Sequence, residues 1–125
     1  MNASIIADQE LSGWFGDTIN AIKEIIDSNK FNIAILTHVT SINEAVLKIN
    51  YLRKYFDDIT IIPCPKSISK TNMVHTKDSI LVDDYSGNLR EWESEGGIGI
   101  KFSQEEEKDC DFKVIKNLRE LLKIF

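Results

Sequence analysis

Apolar positions along this chain switch repeatedly between helical spacing and short β-rich runs, the pattern of a domain in which helices and strands alternate. After Asp17, which can accept the first free N–H groups of a helix, Ile19, Ile22, Ile25 and Ile26 fall on one helical face, and Ser28-Asn29-Lys30 supplies the stop. Residues 32–37 then read as a buried strand ending in Thr37. Ser41, with Glu44 three residues on, is a capping-box signature for a helix running to about Arg53. Ala45, Leu47, Ile49 and Leu52 provide its apolar surface. A strand over 59–62, a loop over 63–67 and a short helix over 70–75 follow.

Residues 79–83 predict another strand, one that ends in acid. A helix over 87–95 closes at Gly96-Gly97, which suits a left-handed cap, and residues 98–102 form the next strand. Residues 104–109 read as a solvated acidic loop, and Val114, Leu118, Leu121 and Leu122 as a last amphipathic helix. Strands joined by helices imply a parallel sheet with right-handed crossovers.

Composition narrows the class. The chain has 125 residues, 42% of them apolar, with six Gly and two Pro, enough to bury a core in one domain and inconsistent with disorder. Fifteen Lys+Arg against twenty Asp+Glu leave a net charge of −5, which argues against a long nucleic acid or an anionic membrane surface as partner. Any phosphate site must be local. Cys64 and Cys110 have neither disulfide-framework nor zinc spacing, so a reducing, cytoplasmic setting is expected. No apolar stretch approaches the roughly 20 residues of a membrane span, and residues 1–10 have neither the basic flank nor the long apolar region expected of a signal peptide, so neither membrane insertion nor secretion is expected.

In an open parallel sheet, ligands collect beyond the carboxyl ends of the strands. Three polar signals fall there: Thr37-His38, Lys70, and Asp83-Asp84. A hydroxyl and adjacent amides can hold phosphate oxygens, an ammonium can offset their charge, and carboxylates can hold Mg²⁺, which prefers oxygen ligands. A response-regulator receiver uses similar groups in a different order, with its acid pair first, so that fold is set aside. His75 and Cys64 read as loop residues, and Trp92 as packing between helix and sheet.

The segment 80–92, ILVDDYSGNLREW, continuing through GGIGIKF at 96–102, resembles the fourth motif of the haloacid dehalogenase (HAD) superfamily, especially its 5′(3′)-deoxyribonucleotidase-like branch. Ile35-Leu36-Thr37 is similar to the second motif and Ser69-Lys70 to the third. The resemblance runs from about Phe31 to Phe102. It implies a three-layer α/β/α Rossmann-like fold with a mainly parallel sheet; the length fits one domain over 1–125, and the interval from Asp8 to Thr37 is too short for a separate cap domain. Thr37 and the His38 amide would bind phosphate, Lys70 would stabilise the phosphorylated intermediate, with Lys66 as runner-up, and Asp83 or Asp84 would ligate Mg²⁺. The partner would be a phosphorylated small molecule such as a nucleoside monophosphate.

One motif does not match. The family attacks phosphorus with the first Asp of DxDx[TV] at the end of its first, central strand, and no DxD occurs in this chain. The nearest substitute is the run 4–8 followed by Asp8-Gln9-Glu10, with Leu11 where a small hydroxyl-bearing or β-branched residue is expected. Unpaired backbone groups in a buried slot cost about 1–3 kcal/mol each. So residues 4–8 fill the slot, its neighbours close on each other, or another chain supplies the strand; truncation at the amino end is one origin of such a gap. The expected function is a HAD-like domain with a phosphate- and Mg²⁺-binding rim and impaired catalysis. The alternative is an active Mg²⁺-dependent phosphomonoesterase of 5′-nucleotidase type, using Asp8 or an Asp supplied by a partner. Trp14 and Phe15, if they cover an exposed sheet face, favour a homodimer.

Overall fold

A computed structural model describes residues 3–8, 17–105 and 110–125, with the backbone alone at 3–8 and at 17. The elements are β1 (Ala3–Asp8), α1 (Asp17–Asp27), β2 (Phe31–Val39), α2 (Ile42–Arg53), β3 (Thr60–Pro65), β4 (Ile80–Asp83), α3 (Ser86–Ser94), β5 (Ile98–Phe102), β6 (Lys113–Ile115) and α4 (Leu121–Ile124). Two short 3₁₀ turns, Lys70–Asn72 and Leu118–Glu120, complete them. The strands form one six-stranded sheet in the order β3-β2-β1-β4-β5-β6, and every pairing is parallel.

The central slot is therefore filled by residues 3–8 of this chain. Ala3 to Asp8 pair in register with Phe31 to Leu36 on one side, and Ile5 to Ala7 with Ile80 to Val82 on the other. Of the three ways to complete the sheet, the first holds. The sequence 10–16, with Glu10, Leu11, Trp14 and Phe15, lies outside the described residues.

Each strand sends alternate side chains to opposite faces. Ile35, Ile80, Val82 and Ile100 pack with Ile19, Ile22 and Ile25 of α1, Leu52 of α2, and Leu118 and Leu121 near the carboxyl end. Leu36 and Leu81 face the other way, against Leu89 and Trp92 of α3, with Cys64 and Phe112. Helices on both faces make three layers, α/β/α.

Several local expectations are corrected. Val114 lies in a sixth strand, in register with Lys101, and the helical signal resumes only at Leu118. There Asn117 and Glu120 form a reciprocal capping box, so the turn is nucleated three residues after the strand ends. The helix expected over 70–75 contracts to Lys70–Asn72. Thr76 Oγ1 donates to the Val74 carbonyl and Ser79 Oγ to the His75 carbonyl, giving those acceptors local partners that compete with a continuing helix. On α2, Leu52 is buried and Ala45 and Ile49 half-buried, all on one stripe, whereas Leu47 is 71% exposed on another side.

Cys64 sits in β3, not in a loop, and its thiol donates to the Ile68 carbonyl at 3.3 Å. The flanking prolines suggested a loop because Pro cannot donate to a ladder. β3 is an edge strand, where that loss is tolerated. Trp92 packs as expected, fully buried with its indole N–H on the Ser79 carbonyl at 2.9 Å.

Candidate functional site

Lys70 and Asp83 meet at the carboxyl end of the sheet. Asp83 is the last residue of β4, and Lys70 opens the 3₁₀ turn after β3, whose first free N–H, that of Thr71, is capped by Ser69 Oγ at 3.2 Å. The Lys70 ammonium lies 2.9 Å from Asp83 Oδ2, with both side chains almost entirely buried. Asn88 Nδ2 donates to the same oxygen at 2.9 Å, and the Tyr85 N–H donates to Oδ1 at 2.9 Å. Burial alone would push the Asp83 carboxyl up. The Lys70 ammonium, the Tyr85 N–H and the Asn88 amide outweigh it and hold the group below the usual carboxylate range. Lys66, the runner-up, is exposed, so Lys70 is the lysine paired with the acid.

Asp8 ends β1. Its register partner on β2 is Leu36, and the residue before it pairs with Val82. The backbone at position 8 thus lies one step before Thr37 on one side and level with Asp83 on the other. This is the place at which the family resemblance puts the attacking acid.

Thr37 and His38 do not end their strand, because β2 runs on to Val39, and Thr37 and His38 pair with Pro63 and Cys64. Thr37 is fully buried. Its hydroxyl lies 3.5 Å from the Lys48 ammonium of α2, which also donates to the His38 carbonyl at 2.8 Å. Lys48 in turn pairs with Glu44 at 3.1 Å. The Thr40 hydroxyl donates to Glu44, and with Lys48 beside it holds that carboxyl down at about 2. Lys48 is the residue the sequence reading missed. Its signal was the Glu44–Lys48 spacing of four residues, a favourable pair on one helix face. Lys101, the register partner of Asp83, is a further lysine at this end and donates to Ser86 Oγ at 2.7 Å.

A cleft of about 210 Å³ opens beside Lys70, lined also by His38, Lys66, Ser69, Thr71 and Asn88. Thr37 and Asp83 stand outside that lining. The larger cavity, about 600 Å³, lies at the opposite end of the sheet, around the start of β2 and β3 and the carboxyl ends of α1 and α2. It holds none of the residues just described.

The donor set can be tested against a hard divalent ion. Three donors already occupy Asp83, leaving about one of the roughly four lone-pair sites of a carboxylate. Asp84 is exposed beside it. Among the described side chains no group of three or more His, Cys, Asp or Glu could hold a metal. Oxygen ligands for Mg²⁺ would therefore come from Asp84 and position 8, with Asp83 serving mainly to anchor Lys70. Such an all-oxygen set fits an ion that keeps several waters.

No protein-family model matches the chain, and no curated protein matches it in sequence. Among solved structures, it is similar to the NMR structure of the core domain of an inferred phosphoglycolate phosphatase from Streptococcus pneumoniae TIGR4. That match has a TM-score of 0.63 at 14% identity, covering 99% of this chain and 95% of the other. No helix among the described residues is long and apolar enough to cross a membrane. The sheet order, the helices on both faces and this likeness together make the fold HAD-like.

Proposed function

We propose that this domain binds the phosphate group of a small phosphorylated molecule at the carboxyl end of its sheet and hydrolyses the ester, with Asp8 as nucleophile. The observation that carries the reading is the central position of β1. The absent nucleophile motif favours impaired catalysis; the central place of a strand that ends in Asp8 supports the active alternative. In the proposed reaction a carboxylate oxygen of Asp8 attacks phosphorus as the ester P–O bond breaks, and the leaving oxygen takes a proton from a water molecule. A second water then attacks the phosphorus of the aspartyl phosphate, its bond to Asp8 breaks, and inorganic phosphate and the free carboxylate result. Lys70 offsets the charge of the phosphoryl oxygens, and Asp83, by holding Lys70 through a buried contact, keeps that ammonium in place. Mg²⁺, when bound by Asp84 and position 8, would supply further neutralisation of phosphoryl charge.

Two candidate substrates are nucleoside monophosphates, by the sequence resemblance, and phosphoglycolate, by the name of the similar structure. The test is phosphate release from such a panel, and from p-nitrophenyl phosphate, with Mg²⁺. Turnover is expected, and Asp8→Asn should lower kcat by at least about 1,000-fold, as loss of a nucleophile does. Unchanged turnover in that variant would remove Asp8 from the mechanism. Phosphate binding with no turnover by the unaltered protein would establish the non-catalytic reading instead.

A further inference from the structure

We propose that Lys48 is a positioning residue for the phosphate-binding arm of β2, acting through the Thr37 hydroxyl and the His38 peptide; this rests on the functional reading above. The Lys48 ammonium lies on α2 and reaches across to β2, where it touches two consecutive residues. It donates to the His38 carbonyl at 2.8 Å and lies 3.5 Å from Thr37 Oγ1. Its third contact, Glu44 at 3.1 Å, ties the same ammonium back to the first turn of α2, and Glu44 also takes the Thr40 hydroxyl. One cation thus bridges the end of β2, the connection at Thr40 and the start of α2.

Two consequences follow for an anion. A hydroxyl has one proton to donate and two lone pairs to offer. With a lone pair of Thr37 turned to an ammonium, its own proton is left to serve an acceptor such as a phosphate oxygen. The anchored His38 carbonyl also fixes the peptide between positions 38 and 39, and with it the placement of the His38 side chain in the cleft beside Lys70. Lys48 further balances Glu44, a carboxylate that stays ionised in all but strong acid and that would otherwise repel phosphate from this end.

The test is calorimetric titration of inorganic phosphate into the full chain and into Lys48→Met, Lys48→Arg, Thr37→Val and the Lys48→Met/Thr37→Val double variant. The unaltered protein should bind phosphate. Lys48→Met and Thr37→Val should each weaken binding roughly tenfold, the scale of losing a hydrogen bond to a charged group. The double variant should be no more than about threefold weaker than either single one, since coupled residues are not additive. Lys48→Arg should recover most of the affinity. Equal phosphate binding by Lys48→Met overturns the assignment and leaves the functional reading standing. Additive losses overturn it too, because they would mean that Lys48 acts independently of Thr37. If the unaltered protein binds no phosphate, the functional reading itself falls. Should Lys48→Met lack a cooperative melt, Lys48→Gln replaces it in the same cycle with the same expectations.

Discussion

Asp83 gathers three donors on one carboxylate in a place with no exposure to water, so its partners decide its charge. Removing one member of a buried ion pair leaves the other as an uncompensated charge and costs about 3–5 kcal/mol. Lys70→Met should therefore destabilise the protein by about that amount in urea unfolding at pH 7. The pH dependence distinguishes this from simple loss of packing. In the unaltered protein the folded Asp83 carboxyl titrates below its unfolded value, so its stabilisation is present above that value and lost only as pH falls through the folded one. Without Lys70 the remaining dominant influence, burial, pushes the carboxyl up, and protonation relieves the variant first. The stability gap between the two proteins should narrow when urea unfolding is repeated at pH 4. A gap of equal size at both pH values would mean that the Lys70 ammonium does not control Asp83.

At the scale of elements, α3 is placed against the sheet by contacts that leave little room. Trp92 is fully buried, and a Cβ added at Gly97 would lie 2.2 Å from its Nε1 and 3.0 Å from the Thr76 carbonyl. Gly97→Ala should push the indole off its bond to the Ser79 carbonyl and cost about 1–3 kcal/mol, the usual price of overpacking, measured by denaturant unfolding. Gly96, at φ +90°, supplies the left-handed turn that ends α3. The Gly96-Gly97 pair was legible in sequence as a helix stop, but its second role, as a seat for Trp92, depends on a contact between segments. The same division runs through the chain. α1, the start of α2 and β5 were legible because apolar spacing and capping residues are local signals. Val114 was misread because three residues of edge strand, Lys113 to Ile115, carry no period and are specified by pairing with β5. Of the candidate site, Asp83 was legible as an acid at a strand end and Lys70 as a lysine in the connection after a strand. Their mutual contact and the reach of Lys48 to β2 were not, since each joins residues that only the folded chain brings together.

For the whole molecule, the segment that matches the resembled HAD motif least is the one on which the sheet depends. β1 carries two parallel ladders, to β2 and to β4, and among the described residues it is the strand that joins the β3-β2 half to the β4-β5-β6 half of the sheet. A strand so placed cannot be lost gradually. Its removal exposes unpaired backbone groups on two neighbours, each costing about 1–3 kcal/mol if they stay buried, and opens the apolar faces between Ile35 and Val82 on one side and between Leu36 and Leu81 on the other. Against a net stability of about 5–15 kcal/mol for a typical domain, that loss is decisive. Deletion of residues 1–8 should abolish the cooperative thermal transition seen by circular dichroism. Adding a synthetic peptide of residues 1–8 in excess should restore part of it, by binding the folded form alone. A deletion variant that still melts cooperatively, with β2 and β4 closing directly on each other, would show that the central strand is dispensable. Because that variant also lacks Asp8, it would separate what the fold needs from what the proposed chemistry needs.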